Sequence, residues 1–349
     1  MTKTSPLDAE HRALKAHMGA FGGWEMPISY AGTVAEHTAV RADAGVFDVS
    51  HLGKILVTGD GAAALLDRAL SNRYTDLPEG RARYTLMLDE DGGIVDDMIV
   101  YRLDDDYLVV PNASNVDEVE RRLRATDGAE AAIIERRDDA ILALQGPRSR
   151  AALDAVIGDV PMLGYMHMVR IGSFGIARSG YTGEHGYEIF VPPADAPGLW
   201  RAILDQNVTP CGLAARDTLR TEMGYPLHGN DIDRDTLPAE AGLRWAIGKD
   251  KDAFAGKAAI ESKEPGKTLV GITMTDRVIP RRGCAVTANG QTVGTCTSGT
   301  FSPTLKIGIA LASVAPGSVK DGDAVSVEVR GKTGQGMVKK PPFVDATPR

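Results

Sequence analysis

The chain reads as an α+β protein built on antiparallel sheets and ending in a small all-β unit. Three observations predict this. Between residues 54 and 136 the periodic segments run strand, helix, hairpin, strand, helix, strand. The hairpin joins apolar runs at 84–88 and 94–101 around Asp89-Glu90-Asp91-Gly92-Gly93, a short connection of the kind that pairs antiparallel strands. After about residue 245 only short strands remain, near 268–274, 284–287, 291–298, 307–312 and 323–329, separated by Gly, Pro and Asp.

The elements follow in order. Leu7, Leu14 and Met18 lie on one side of a short helix over 6–18, behind the start signal Ser5-Pro6. A turn, Phe21-Gly22-Gly23-Trp24, and a second helix over 33–43 lead into Gly45-Val46-Phe47-Asp48-Val49-Ser50-His51. Residues 54–58 form a strand, 60–70 an Ala/Leu-rich helix, 107–110 a strand, 115–124 a helix and 130–136 another strand. Residues 141–144 read as a buried strand, and Pro147 as the first residue of a helix, where a missing N–H is harmless. Strands near 166–171, 174–179 and 186–191 precede helices near 195–205 and 212–223.

At 349 residues the chain exceeds one ordinary core, so two or three domains are expected. Hydrophobic content of 43% with 25% charged residues fits a soluble globular protein. Aromatics at 5% argue against a surface that stacks unpaired bases. The net charge of −8 is spread in mixed runs such as Asp104-Asp105-Asp106 and Arg136-Arg137-Asp138-Asp139, with no long basic block, so no nucleic-acid partner is expected. Cys211, Cys284 and Cys296 lie far apart without CxxC or a nearby His pair. Neither a disulfide framework nor a metal site is expected, and a reducing compartment fits. No apolar run approaches the roughly 20 residues that span a bilayer, and the N-terminus lacks an apolar signal core and carries Asp8 and Glu10. The expectation is a cytoplasmic protein without membrane association.

Gly59-Asp60-Gly61-Ala62-Ala63-Ala64 matches GxGxxA between a strand and a helix. A dinucleotide fold would next require a second parallel strand ending in an acid. An antiparallel hairpin follows instead, so the segment reads as a plain strand–turn–helix with Asp60 capping the helix.

Three segments carry chemistry. In the strand Gly92-Gly93-Ile94-Val95-Asp96-Asp97-Met98-Ile99-Val100-Tyr101, alternation puts Asp97 with Val95, Ile99 and Tyr101, and Asp96 with Ile94, Met98 and Val100. Both faces are apolar. One carboxylate is therefore forced into a poorly solvated place, where its proton affinity rises toward the range useful for proton transfer, or both sit at the hairpin rim; alternation does not choose between them. Next, Ser179-Gly180-Tyr181-Thr182-Gly183-Glu184-His185-Gly186-Tyr187-Glu188 runs into a strand. Glu188 there can accept two parallel bonds from an amidine-like N–H edge, such as a pterin presents, or pair with a structural arginine. Last, in the helix 212–224, Arg216 and Arg220 share a face at i,i+4. They suit an anion, or they pair with local acids such as Asp217 and Glu222.

In this order and over the whole length, the three segments resemble the glycine cleavage T-protein (aminomethyltransferase) family. Phe47-Asp48-Val49-Ser50-His51, Leu144-Gln145-Gly146-Pro147, Leu227-His228-Gly229-Asn230-Asp231-Ile232 and Thr297-Ser298-Gly299-Thr300-Phe301-Ser302-Pro303 add to the resemblance. It implies a ring of three domains: 1–50 plus 140–244, an inserted α+β domain over 51–139, and a barrel-like β domain over 245–349. It implies a tetrahydrofolate-dependent transfer from an aminomethyl-lipoyl carrier, the H-protein, that yields ammonia and 5,10-methylenetetrahydrofolate without a metal. By motif match Asp97 is the essential carboxylate, Glu188 and Arg216 bind folate, and Tyr84, Asn112 and Arg281 line the site. One departure is the tail, Pro342-Phe343-Val344-Asp345-Ala346-Thr347-Pro348-Arg349, which lacks a tyrosine the family often has there. The resemblance leaves two related functions open: a folate-dependent demethylase of a small methylated amine or sulfonium compound, and a folate-binding helper of iron–sulfur assembly. The helper's characteristic cysteine is absent from residues 251–257.

Overall fold

The computed structural model describes residues 2–346 and 348. Its first sheet has six strands in the order Met168–Ile171, Phe174–Ala177, Gly186–Val191, Ala140–Gln145, Gly45–Asp48 and Thr209–Cys211. Neighbours are antiparallel except the last pair. Ala140–Gln145 and Gly186–Val191 are buried along their full length, as continuous apolar runs must be when both faces are covered. One face packs under the helices Ser149–Ile157 and Ala196–Leu204, around Leu142, Tyr187 and Trp200. The other holds Phe47, Ala143 and Phe190 against Ala215 and Leu219 of the helix Leu213–Met223.

The inserted sheet is wholly antiparallel, in the order Ala82–Leu88, Ile94–Leu103, Asp106–Val110, Ile55–Thr58 and Ile133–Arg136. The helices Ala62–Ala69 and Val116–Ala125 cover one face. Ala82 and Tyr101 on the other join the core that contains Phe47 and Phe190, which locks the insert onto the first sheet. The GxGxxA segment has a packing role: a Cβ on Gly61 would stand 2.5 Å from that of Ala131. Gly61 precedes the helix, and Asp60 makes no cap bond.

Six strands close the C-terminal barrel in the order Thr268–Met274, Ile307–Val314, Gln291–Ser302, Ala285–Ala288, Ala324–Val329 and Lys332–Val338. The last one closes the ring and has no counterpart in the sequence reading. Lys-Thr-Gly-Gln-Gly offers no apolar alternation, and its glycines are needed for contact: a Cβ on Gly334 would stand 2.7 Å from Val278.

Other differences have local causes. The first helix covers only Asp8–Ala13, because Lys15 takes positive φ (57°) and turns the chain into a hairpin, His17–Phe21 with Trp24–Ser29. Pro147 lies two residues ahead of the helix that begins at Ser149. Among the described residues, no helix is long and apolar enough to cross a membrane.

Candidate active site

The hairpin strand carries a bulge that redistributes its side chains. Met87 pairs with Asp96 and Leu88 with Ile94, so Val95 is the extra residue. Val95 consequently packs with Met98 and Val100, while Ile94 joins Leu86, Leu88 and Ile232. This corrects the simple alternation, which put Val95 with Asp97 and Ile94 with Asp96. From Asp96 onward the period of two holds, and Asp97, Ile99 and Tyr101 share the face toward the first sheet. The preceding glycines serve close contact. A Cβ on Gly93 would lie 1.8 Å from the Arg234 carbonyl oxygen, and the Ile94 N–H donates to the carbonyls of Asp233 (3.1 Å) and Thr236 (3.2 Å). The segment after Ile232 is thereby seated on the hairpin.

Asp97 is half-buried, and Asp96 fully buried. The Tyr84 hydroxyl donates to Asp97 Oδ2 (2.9 Å), and the Asn112 amide donates to Asp97 Oδ1 (3.0 Å). Asp96 accepts from Asn112 N (3.0 Å), Asn112 Nδ2 (2.8 Å) and Asn115 Nδ2 (2.7 Å). Burial raises the proton affinity of both carboxyls. The charge of Asp97 raises Asp96 further, whereas Tyr84, His228 and Asn112 oppose the rise at Asp97. Burial beside Asp97 also pushes the Tyr84 phenol up, so it stays a donor. Trp245, 65% exposed, stacks on Tyr84 with ring centroids 5.0 Å apart.

Tyr101, four residues beyond Asp97, connects this group to Glu188. Its hydroxyl lies 2.9 Å from Ser179 Oγ and 3.1 Å from Glu188 Oε2, and Ser179 Oγ donates to the same oxygen at 2.5 Å. Among the described residues nothing donates to Glu188 Oε1, and no arginine pairs with it. Arg216 lies over the Tyr181 ring at 4.5 Å and, among the described residues, has no ion pair. Burial lowers its proton affinity, while Tyr181 and Glu188 support its charge. The structure thus assembles Tyr84, Asp97 and Asn112 in one cluster, with Glu188 bonded to Tyr101 of the same strand and Arg216 stacked on Tyr181. Arg281 shares none of these bonds: it is exposed and donates to the carbonyls of Pro280 (3.2 Å) and Gly299 (3.1 Å).

Sequence reasoning overlooked Tyr101 and Ser179 as the holders of Glu188, and Asn115 and His228 beyond Asp96. Their signal was in plain view, since Ser179 opens the quoted loop and Tyr101 shares a face with Asp97. Phe47-Asp48-Val49-Ser50-His51 proves to be a structural clasp: Asp48 accepts from Ser50 N (2.9 Å) and from His11 Nε2 (2.8 Å), with both side chains fully buried. A cavity of about 460 Å³ lined by Leu237, Arg244, Lys251, Phe254 and Lys257 contains none of the acidic groups above. No metal-binding cluster occurs among the described residues.

The model of the GCVT N-terminal domain matches residues 7–251, and that of the glycine cleavage T-protein C-terminal barrel domain matches 267–345. The chain belongs to the glycine cleavage T-protein family. An aminomethyltransferase of Frankia alni is 46% identical, with 99% of each chain covered. One from Mycobacterium tuberculosis is 45% identical over 97% of this chain and 96% of its own. The crystal structure of the glycine cleavage system aminomethyltransferase T from Bartonella henselae matches with a TM-score of 0.95 at 37% identity, covering 99% of both chains. Membership extends across the insert and the barrel alike, and the chain is an aminomethyltransferase of the glycine cleavage system. The demethylase and iron–sulfur readings are not favoured by these relatives.

Proposed function

We propose that this T-protein takes the one-carbon unit of an aminomethyl group from the lipoyl sulfur of a carrier, the H-protein, and passes it to tetrahydrofolate, with Asp97, Glu188 and Arg216 as the acting residues. The observation that carries the assignment is incomplete bonding at Glu188 and Arg216. Glu188 Oε1 is open, and when Tyr101 donates to Ser179, Oε2 keeps a second free lone pair. Both oxygens can then take the two parallel N–H groups of a pterin edge. Arg216, without an ion pair among the described residues, suits an anionic or carbonyl oxygen of the same ligand.

Tetrahydrofolate supplies the amine nitrogens that take up the methylene carbon. The two N–H protons given up there are the two taken by the departing lipoyl thiolate and by ammonia, so atoms and charges balance. Asp97 accepts the hydrogen bond of the attacking amine and relays its proton, while Tyr84 and Asn112 fix the carboxylate's direction. Arg281 would line the mouth of the site. The domain division proposed is 1–50 plus 140–244, 51–139 and 245–349, with the site where they meet. The test is turnover of aminomethyl-lipoyl carrier with tetrahydrofolate, with ammonia and dihydrolipoyl product followed together. Equal production of both supports the reading. Turnover of small methylated amines in place of the carrier overturns it.

A further inference from the structure

Beyond Asp97 lies a chain of hydrogen bonds that the proposed reaction does not use. Asn112 Nδ2 lies within bonding distance of both carboxylates, at 2.8 Å from Asp96 Oδ1 and 3.0 Å from Asp97 Oδ1. Asn115 Nδ2 bonds Asp96 Oδ1 at 2.7 Å and lies 3.1 Å from His228 Nδ1. His228 Nε2 is 3.0 Å from the Ile94 carbonyl oxygen. A carbonyl only accepts, so Nε2 carries the hydrogen; an amide N–H only donates, so Nδ1 accepts. These two bonds set the orientation of the ring. All three donors on Asp96 are N–H groups, which fix its side chain from two asparagines.

We infer that Asp96, Asn115 and His228 are a positioning network for Asp97, in which His228 anchors Asn115, Asn115 anchors Asp96, and the Asn112 amide shared by the two carboxyls ties Asp96 to Asp97. This rests on Asp97 being the acting carboxylate. None of the three needs to touch a substrate. The network ties the segment 227–232, which follows the helix of Arg216, to the strand of Asp97, so the two halves of the site are held in register. The titratable and charged groups facing Asp97 are Asp96 on its own strand, Tyr84 on the neighbouring strand, Tyr181 on the loop before Glu188, and His228. Replacing Asp96 breaks the bonds that hold the Asn112 amide against Asp97. Removing the His228 anchor misplaces Asp97 without altering Glu188 or Arg216.

The experiment compares kcat/KM against pH, folate dissociation constants and thermal midpoints for the full-length wild type, Asp97→Asn, Asp96→Asn, His228→Leu and His228→Gln. In Asp96→Asn, whose amide cannot accept all three N–H donors, kcat falls about tenfold at every pH with folate affinity unchanged. In His228→Leu, kcat falls about tenfold or more, the loss a small misplacement causes, with folate affinity unchanged. Gln can keep a donor and an acceptor, so His228→Gln recovers most of that loss. Wild-type kcat in both Asp96→Asn and His228→Leu overturns the network. An active Asp97→Asn would instead overturn the assignment on which it rests, and the two failures are distinct. Should His228→Leu lose its thermal midpoint, the kcat and folate affinity of Asp96→Asn decide alone.

Discussion

Arg216 and Arg220 stand one turn apart on the same face of one helix, and the fold treats them in opposite ways. Arg220 is 1% exposed and saturated, with Asp217 Oδ1 at 2.8 Å, Asp231 Oδ2 at 2.7 Å, Ser298 Oγ at 2.8 Å and the Tyr225 carbonyl at 3.1 Å. Arg216 has the face of Tyr181 and no ion pair among the described residues. The acids repeat the contrast. Glu222 accepts from Arg41, Ser302 and Thr304, whereas Glu188 keeps one oxygen open. A buried charge without a partner costs stability. Where the fold saturates one charge and leaves its neighbour open, the open one is kept for something outside the chain.

The largest expected effect falls on the carboxylate that the open groups surround. Asp97→Asn keeps the size of the side chain and the Tyr84 donor, and removes a charge that burial disfavours. Its kcat should fall about 10³-fold, within the range of lost acid–base catalysis, while its thermal midpoint holds or rises. A variant with near wild-type turnover would remove Asp97 from the mechanism.

The two arginines sharpen the contrast directly. Arg220→Ala strands Asp231, which is fully buried on the side-chain level and also receives Ser298 and Thr297, so it should cost about 3–5 kcal/mol in denaturant unfolding. Arg216→Ala should leave unfolding within about 0.5 kcal/mol and weaken folate binding by about ten- to a hundredfold, the value of a charged hydrogen bond. Reversed results would mean that bonding pattern does not separate the two roles. Glu188→Gln is a smaller perturbation still. The amide keeps one acceptor for Ser179 and loses one toward the ligand, so folate affinity measured by titration should drop about tenfold with kcat changed less.

How far sequence could reach is visible in these residues. Both arginines were legible as a pair on one face, but their fates were not, because Asp231 and Ser298 come from segments far along the chain. Local acids were half the answer: Asp217 does pair with Arg220, while Glu222 turns to Arg41 of another helix. The antiparallel hairpin was legible from its turn and apolar runs, yet the bulge at Val95 was not, since an extra residue leaves no mark on composition. The barrel was legible as short strands, and its closing strand was missed because glycines and polar residues fill it. Period and turn chemistry report local structure; partners across domains do not follow from them.

The smallest effect is a pH dependence that tests the saturated side of the comparison. Burial would raise Glu222, but bonds and charge from His37, Ser302 and Arg41 outweigh it and hold the carboxyl at about 2, against 4.5 for a free glutamate. A depressed folded value means that the unfolded chain binds the proton more readily. The stabilisation is therefore fully present above about pH 4.5 and is lost as pH falls toward 2. Since Ser302 ends a barrel strand, Thr304 follows it and Arg41 lies on the helix Thr33–Ala42, this loss should loosen the contact between barrel and helix first. Urea unfolding at pH 6 and at pH 3.5 reads it: wild type should lose more stability between the two than Glu222→Gln, which cannot ionise. Equal losses in both proteins would show that the junction's charge cluster contributes nothing at Glu222, and would leave the contrast with Glu188 resting on ligand binding alone.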